Sequence, residues 1–332
     1  MIPVAVIGVG AFGRNHARVY KQLEKDGAPV RLLGVVDHDP TRADAVAREF
    51  DCRSFGSLEQ LLTTHNELQA ASVTVPTVHH LEVARALMNA GVDVLIEKPI
   101  AASLAEADQL VQLARQRGRV AQVGHLERFN PAVRATIPLI TQPMFFEVHR
   151  LSMFTPRSLD VDVVLDLMIH DLDIVLAFVH SPVKELRAVG LPILSGKTDI
   201  ANVRLEFQSG CVANFTASRV STERVRKLRF FQPRQYVSLD YSRQDVLVFT
   251  VAEEGALPSN PSVNPQIGMT RPPIISEEPL LAELKSFLDA VRARTEPLVS
   301  LSDGRRALAL AIEVVEKIRE HGESIRLEQL AP

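Results

Sequence analysis

The stretch Val4-Ala5-Val6-Ile7-Gly8-Val9-Gly10-Ala11-Phe12-Gly13-Arg14 decides the fold class. Four apolar residues, three of them β-branched, read as a buried strand, and the segment Arg14–Lys25 reads as the helix that follows. Between them lies G-x-G-x-x-G. Gly8 permits the tight turn, Gly10 lets the backbone approach a pyrophosphate, and Gly13 allows close helix–strand packing. Main-chain N–H groups at the helix start, around Ala11 and Phe12, are left to bind phosphate oxygens. A second strand, Arg31–Val36, ends at Asp37, where an acid accepts hydrogen bonds from ribose hydroxyls and repels a 2′-phosphate. The expected cofactor is therefore NAD rather than NADP, with Arg42 the one nearby cation that counts against it.

Outward from this motif, strands and helices alternate: helix Thr41–Phe50, strand Ala71–Val75, helix His79–Ala90, strand Asp93–Ile96, helix Leu104–Arg117 and strand Val120–Val123. Strict alternation implies right-handed crossovers and a parallel sheet covered on both faces. After about Arg128 the pattern changes. Strand Phe145–Leu151 and a long helix Val163–Val179 precede short runs of period two: Lys184–Val189, Asn202–Phe207, Val212–Ala217, Leu228–Phe231, Tyr236–Asp240 and Val246–Val251. Ser209-Gly210 marks a hairpin between two of them. The segment Glu253–Pro273 reads as a loop, and Leu280–Ala293 and Asp303–Glu320 as amphipathic helices. The expected architecture is an α/β Rossmann domain with a doubly wound parallel sheet over residues 1–125. An α+β domain with a largely antiparallel open sheet follows over 126–332, its C-terminal helices free to pack back on the first domain.

Bulk properties narrow the function. A net charge of −3 over 332 residues, 23% of them charged, gives no basic surplus for nucleic acid or an anionic membrane. No run is apolar for long enough to span a bilayer, and glycines interrupt the apolar N-terminus. Cys52 and Cys211 stand far apart, outside any CxxC pair, so neither a structural metal nor a disulfide framework is expected. Sparse cysteine fits a cytoplasmic protein.

Three blocks carry further meaning: the glycine motif with Asp37, Glu97-Lys98-Pro99 at the fourth strand's end, and Asp166-Leu167-Met168-Ile169-His170 on the long helix. Together they resemble the glucose–fructose oxidoreductase / inositol dehydrogenase / MocA (Gfo/Idh/MocA) family along nearly the whole chain. The resemblance implies NAD(P)-linked oxidation or reduction of sugars, cyclitols and related polyols, usually by dimers or tetramers. Lys98 lies just past a strand's carboxyl end, where open α/β sheets gather ligands. On loop position alone it could equally be a surface lysine paired to Glu97. Asp166 and His170, four apart on an expected helix, face the same way, and Asp162 and Asp173 extend that stripe. Solvent faces usually carry Lys, Glu or Arg, so an acid–imidazole stripe on an otherwise apolar helix suits a pocket lining. Thr74, Pro76 and His79 resemble the family loop near the cofactor riboses, although His79 and His80 could equally cap the next helix. Gly124-His125-Leu126-Glu127-Arg128-Phe129-Asn130-Pro131 resembles the branch that oxidises the 3-hydroxyl of UDP-N-acetylglucosamine. It makes His125, Arg128 and Asn130 substrate candidates, against a reading in which Arg128 and Asn130 only shape a domain junction. The basic run Arg219, Arg224, Arg226, Lys227, Arg229 is either solvated surface or a diphosphate anchor.

The chemistry expected is hydride transfer from a secondary carbinol to nicotinamide. His170 takes the hydroxyl proton, Lys98 holds the oxygen and Asp166 orients His170 or binds a neighbouring hydroxyl, with Lys98 and His170 able to share or exchange the base role. Glu97 and Lys98 are placed beside the cofactor. Rival readings are an inositol or free-sugar dehydrogenase, a linear-tetrapyrrole reductase and a non-catalytic NAD-binding redox sensor. Val203, Leu205, Phe207, Val212 and Phe215 are expected to leave one sheet face for subunit pairing in a homodimer or homotetramer.

Overall fold

The structure, a computed structural model, describes residues 1–155, 161–251 and 267–325. The chain forms two compact units, one built from residues 1–129 and 278–308, the other from 130–277 and 309 onward.

The first unit holds strands β1 (Ile2–Ile7), β2 (Val30–Val36), β3 (Arg53–Phe55), β4 (Ala70–Val73), β5 (Asp93–Glu97) and β6 (Ala121–Gly124). They form one parallel sheet in the order β3-β2-β1-β4-β5-β6, the doubly wound arrangement. Helices α1 (Ala11–Lys25), α2 (Pro40–Glu49), α3 (Leu58–Thr64), α4 (His80–Asn89) and α5 (Leu104–Arg117) make the crossovers. Local chemistry sets their ends. The Asp39 carboxylate caps α2, accepting from Thr41 N–H at 3.0 Å and Arg42 N–H at 3.3 Å, with Pro40 at the first helical position. Ser103 caps α5 while Glu106 reaches back to Ala102 N–H at 3.0 Å. Ile2, Val4, Val6, Tyr20, Leu23 and Leu95 share one apolar cluster with Leu280, Leu284 and Phe287 of the helix Pro279–Ala293. Strand β3 and helix α3 were not expected from the sequence. Three residues carry too little periodicity to announce a strand.

In the second unit, α6 (Pro131–Thr136) precedes strand β7 (Phe145–Met153). A π-helical turn, Val164–Met168, then leads into α7 (Ile169–Phe178). Strands β8 (Val183–Leu191), β9 (Ile200–Phe207), β10 (Val212–Ser221), β11 (Val225–Gln232), β12 (Gln235–Asp240), β13 (Asp245–Val251) and β14 (Ile267–Thr270) follow. The eight-stranded sheet runs β14-β13-β12-β11-β7-β10-β9-β8, and only the β7–β10 pair is parallel. Two expectations are corrected. The long helix Val163–Val179 is a π turn joined to an α-helix. Of the loop expected over Glu253–Pro273, residues 253–266 lie outside the described residues, while Ile267–Thr270 pairs with β13 as an edge strand.

The sheet's two faces differ sharply. Ala201, Val203, Leu205 and Phe207 on β9, and Ala213, Phe215 and Ala217 on β10, are all buried on one face. The other face carries Asn202, bonded to Thr216 at 3.0 Å, and Arg204, bonded to Asn214 at 3.1 Å. It also carries Arg229 paired with Glu147 at 2.7 Å, and the rings of Phe145, Phe231, Tyr236 and Phe249 in succession. The apolar residues expected to line an open face thus belong, Val212 excepted, to the buried one. The opposite face is polar with an aromatic stripe.

Candidate active site

Each glycine of the turn after β1 meets a different constraint. Gly8 has φ +89°, and a Cβ there would lie 2.8 Å from Val75 N. At Gly13 a Cβ would sit 1.9 Å from the Gly8 carbonyl oxygen and 2.5 Å from Thr74 Oγ1. A Cβ on Gly10 would meet nothing within 4 Å. Gly8 and Gly13 shape the loop, and Gly10 borders open space. Gly10 is also the N-cap of α1, with no side-chain cap and no acid in the first turn. The leading N–H groups of the helix therefore face that space, a cradle suited to a diphosphate. Thr74 secures the loop from below, its hydroxyl donating to the Ile7 carbonyl at 3.1 Å and the Gly8 carbonyl at 2.5 Å. Phe12 is exposed beside the turn and packs edge-on against His16.

Asp37 is buried. Its Oδ2 accepts from Val9 N–H at 2.9 Å and its Oδ1 from Asp39 N–H at 3.0 Å. A carboxylate offers about four lone-pair sites; main-chain N–H groups take two of them, and Arg42 and His38 approach the same two oxygens. Arg42 approaches Asp37 at 3.4 Å, so the cation that sequence reading weighed against NAD does lie beside the acid.

Beyond β4, Pro76 leads into the short turn Thr77–His79, where His79 is exposed and makes no side-chain cap. The structural work falls to His80, which is buried. Its Nδ1 lies 3.0 Å from the Pro99 carbonyl oxygen and its Nε2 2.9 Å from that of Val75. Burial pushes this imidazole below the ordinary histidine range, outweighing those carbonyls and the charge of Glu97, which favour its proton. In its neutral form His80 donates to one of these two carbonyls and packs against the other, between the segments that follow β4 and β5. Glu97 closes β5, and Lys98, half-exposed, follows it before Pro99. Glu97 Oε1 lies 3.1 Å from His16 Nε2. His125 is buried; Asn130 is committed to the fold, its Oδ1 capping α6 through Ala132 N–H at 3.1 Å and its Nδ2 donating to the Tyr241 carbonyl at 3.0 Å.

In the second unit the expected stripe divides. Asp162 is tied to Thr198 N–H at 3.1 Å, and Asp173 is buried. Asp166 and His170 remain half-exposed, Asp166 within the π turn and His170 in the first turn of α7. Single π turns inside helices recur at functional sites because the widened turn re-aims side chains. Sequence reading missed the neighbouring Arg150–Asp171 pair, a fork of 2.7 and 2.8 Å, both partners buried, with the guanidinium 5.1 Å from the Tyr241 ring centre. The basic run is also divided. Arg219 is buried and donates to the Val161 carbonyl, rather than being solvated, and Arg229 pairs with Glu147.

Comparison with known proteins agrees with this geometry. Residues 2–125 match the oxidoreductase family with an NAD-binding Rossmann fold, and residues 141–234 match the GFO/IDH/MocA C-terminal domain. The chain is 37% identical over 310 residues to UDP-N-acetylglucosamine 3-dehydrogenase of Acidithiobacillus ferrooxidans, covering 93% of this chain and 95% of that one. A solved structure of that enzyme superposes with a TM-score of 0.86 at 35% identity, covering 96% of this chain and 97% of the other. Inositol 2-dehydrogenase of Rhizobium meliloti is 24% identical over 338 residues, 95% of this chain and 96% of the relative. Levoglucosan dehydrogenase, solved with NADH and levoglucosan, shares the fold at a TM-score of 0.82 and 17% identity, covering 96% and 97% of the two chains. These matches establish the family: the chain is an NAD-dependent dehydrogenase acting on CH–OH groups, and it belongs to the Gfo/Idh/MocA oxidoreductase family.

Proposed function

We propose that this enzyme oxidises the 3-hydroxyl of UDP-N-acetylglucosamine, with Lys98 and His170 as its catalytic residues. The carrying observation is the near-full-length identity to the 3-dehydrogenase, against 24% for the inositol enzyme. The bound nicotinamide supplies the hydride acceptor. His170 takes the proton of the 3-hydroxyl as the C3–H bond is cleaved, and Asp166 orients the imidazole. Lys98 holds the reacting oxygen and opposes the negative charge that grows on it. Gly10, Ala11 and Phe12 line the diphosphate of NAD while Gly8 and Gly13 shape the loop that holds it, Asp37 takes the adenosine ribose, and Thr74, Pro76, His79 and Glu97 border its nicotinamide half. His125 and Arg128 are proposed to contact the sugar; Asn130 acts by fixing α6. The protein works in the cytoplasm as a homodimer or homotetramer, paired through the polar and aromatic sheet face, and sedimentation as a monomer at micromolar concentration would rule out that pairing.

The test is a panel of UDP-N-acetylglucosamine, myo-inositol and free glucose with NAD, following reduced nicotinamide by absorbance. Turnover of the nucleotide sugar alone is expected. Lys98→Ala and His170→Ala should each lower kcat about a hundredfold, the usual scale for a positioned proton-transfer group, with NADH affinity unchanged. Preference for myo-inositol would move the assignment to the second relative. A His170→Ala enzyme working at the wild-type rate would remove the proposed base.

A further inference from the structure

In a doubly wound sheet a dinucleotide lies across the carboxyl ends of the strands, one half to either side of the first. Asp37 follows β2 on one side of β1, and Glu97 ends β5 on the other side, beyond β4. With Asp37 at the adenosine half, Glu97 falls on the side of the nicotinamide half. One side chain reaches Glu97 from the helix that the glycine turn opens. His16, on α1, is fully buried, and its Nε2 lies 3.1 Å from Glu97 Oε1. Its Nδ1 lies 3.0 Å from Ser72 Oγ on β4, and that oxygen lies 2.9 Å from the buried Tyr20 hydroxyl. A carboxylate can only accept, so His16 Nε2–H donates to Glu97. With a neutral imidazole the rest follows: Ser72 donates to Nδ1, and Tyr20 donates to Ser72.

This series of bonds holds one oxygen of Glu97 and leaves the other open. Oε2 takes no hydrogen bond among the described residues, and the side chain is 12% exposed. A Cβ on Gly124 would sit 2.6 Å from Oε1 and 3.0 Å from Oε2, so the carboxylate rests on the β6 backbone at a place where only glycine makes room. Imidazole, hydroxyl and phenol serve packing poorly, and α1 otherwise fills this core with Ala17, Val19 and Leu23. Their burial is tolerated because each is bonded to the next, and a fully bonded series stiffens the group at its end. That group is an acceptor at the carboxyl edge of the sheet with an oxygen still to be satisfied. The same imidazole packs against Phe12 of the glycine turn, the ring centres 5.3 Å apart, so one residue braces both the turn and the acid.

We propose that His16, held by Ser72 and Tyr20, is a positioning residue that presents Glu97 Oε2 as the acceptor for the carboxamide N–H of NAD. The inference rests on the reading of Glu97-Lys98-Pro99 as part of the site, and it is independent of which sugar is oxidised. The test compares NADH with ADP-ribose, which has both riboses and the diphosphate but no nicotinamide, by calorimetric titration of the full-length protein. His16→Asn keeps a polar group opposite Ser72 but falls short of Glu97, whereas His16→Gln reaches Glu97 with an amide N–H. His16→Asn should weaken NADH about tenfold, the scale of one hydrogen bond to a charged group, with ADP-ribose within about twofold of wild type. His16→Gln should hold NADH within about threefold. Glu97→Ala should show the same selective loss, and adding His16→Asn to it should cost nothing further, because the acceptor is gone. Parallel losses of NADH and ADP-ribose in His16→Asn would reveal a merely structural role and overturn the proposal. So would unchanged NADH affinity, a Gln variant no better than Asn, or a further loss in the Glu97→Ala background. Should His16→Asn fail to fold, the other two variants decide: Glu97→Ala must lose NADH selectively and His16→Gln must keep it. Wild-type NADH affinity in Glu97→Ala would remove the reading of Glu97 as part of the site. A selective loss there with none in His16→Asn would remove only the role of His16. Failure of the sugar panel alone would leave all of these readings in place.

Discussion

Replacing Gly13 and Gly10 separately by alanine should split two functions of one turn. A methyl at Gly13 would meet the Gly8 carbonyl oxygen at 1.9 Å, and to reach even 3.0 Å the helix and loop must part by about 1 Å. Overpacking of this kind costs about 1–3 kcal/mol, and in a unit of this size each kcal/mol lowers the thermal midpoint by roughly 2–4 °C. Gly13→Ala should therefore melt about 2–12 °C lower, and the displaced helix N-terminus should also weaken NADH. Gly10, at φ −60° and bordering open space, accepts a methyl without clash. Its stability loss should stay below about 1 kcal/mol, the scale of a poorer N-cap. The methyl would stand where the diphosphate must approach, so binding should still fall strongly. Differential scanning fluorimetry gives the first quantity and NADH fluorescence titration the second. Wild-type melting in Gly13→Ala, or wild-type NADH affinity in Gly10→Ala, would refute the assignment of packing to one glycine and cofactor approach to the other.

Asp37→Ala should narrow the preference for NAD over NADP, measured by calorimetry, because Arg42 would then face a 2′-phosphate without its acid. Asp171→Ala should destabilise the second unit, by up to about 3–5 kcal/mol, because it removes the buried carboxylate that accepts the Arg150 fork, whereas a joint Arg150→Met, Asp171→Leu replacement should cost far less in chemical denaturation. His80 titrates below its unfolded value near 6.5, so its neutral form contributes stability above that pH, and the contribution is lost as pH falls. The thermal midpoint should drop between about pH 7.5 and 5.5, and His80→Gln should flatten that drop.

Long periodic segments were the legible part of this sequence, since burial on both sheet faces writes Val4–Ile7 and Val94–Ile96 as apolar runs. What escaped had physical reasons. The three residues of β3 are paired only because β2 is already in place. The π turn at Val164–Met168 leaves the hydrophobic pattern of a helix intact while changing the direction of Asp166. Glu283 reads as the solvent-facing acid of an amphipathic helix, and only the tertiary fold shows that it is buried. Among the site residues, the glycines and Asp37 were readable because each has a fixed geometric task. His16, Ser72, Tyr20 and His80 were not, because their tasks are defined by partners up to 81 positions away.

The discontinuity of the first unit has a consequence for how the protein is made. Ile2, Val4 and Val6 bury themselves partly against Leu284 and Phe287, which leave the ribosome nearly 300 residues later. At ordinary elongation rates of about 5–20 residues per second, the dinucleotide-binding sheet waits tens of seconds or less for its last helix, with that apolar flank exposed. Meanwhile the segment that builds the second sheet has already emerged and can fold. The N-terminal unit, begun first, is thus completed only after the strands of the second sheet have emerged, and a nascent chain stalled before Pro279 would present an unfinished hydrophobic surface to chaperones. NAD, which binds the completed unit, would then act late in synthesis, drawing the finished N-terminal unit away from its exposed precursor by mass action.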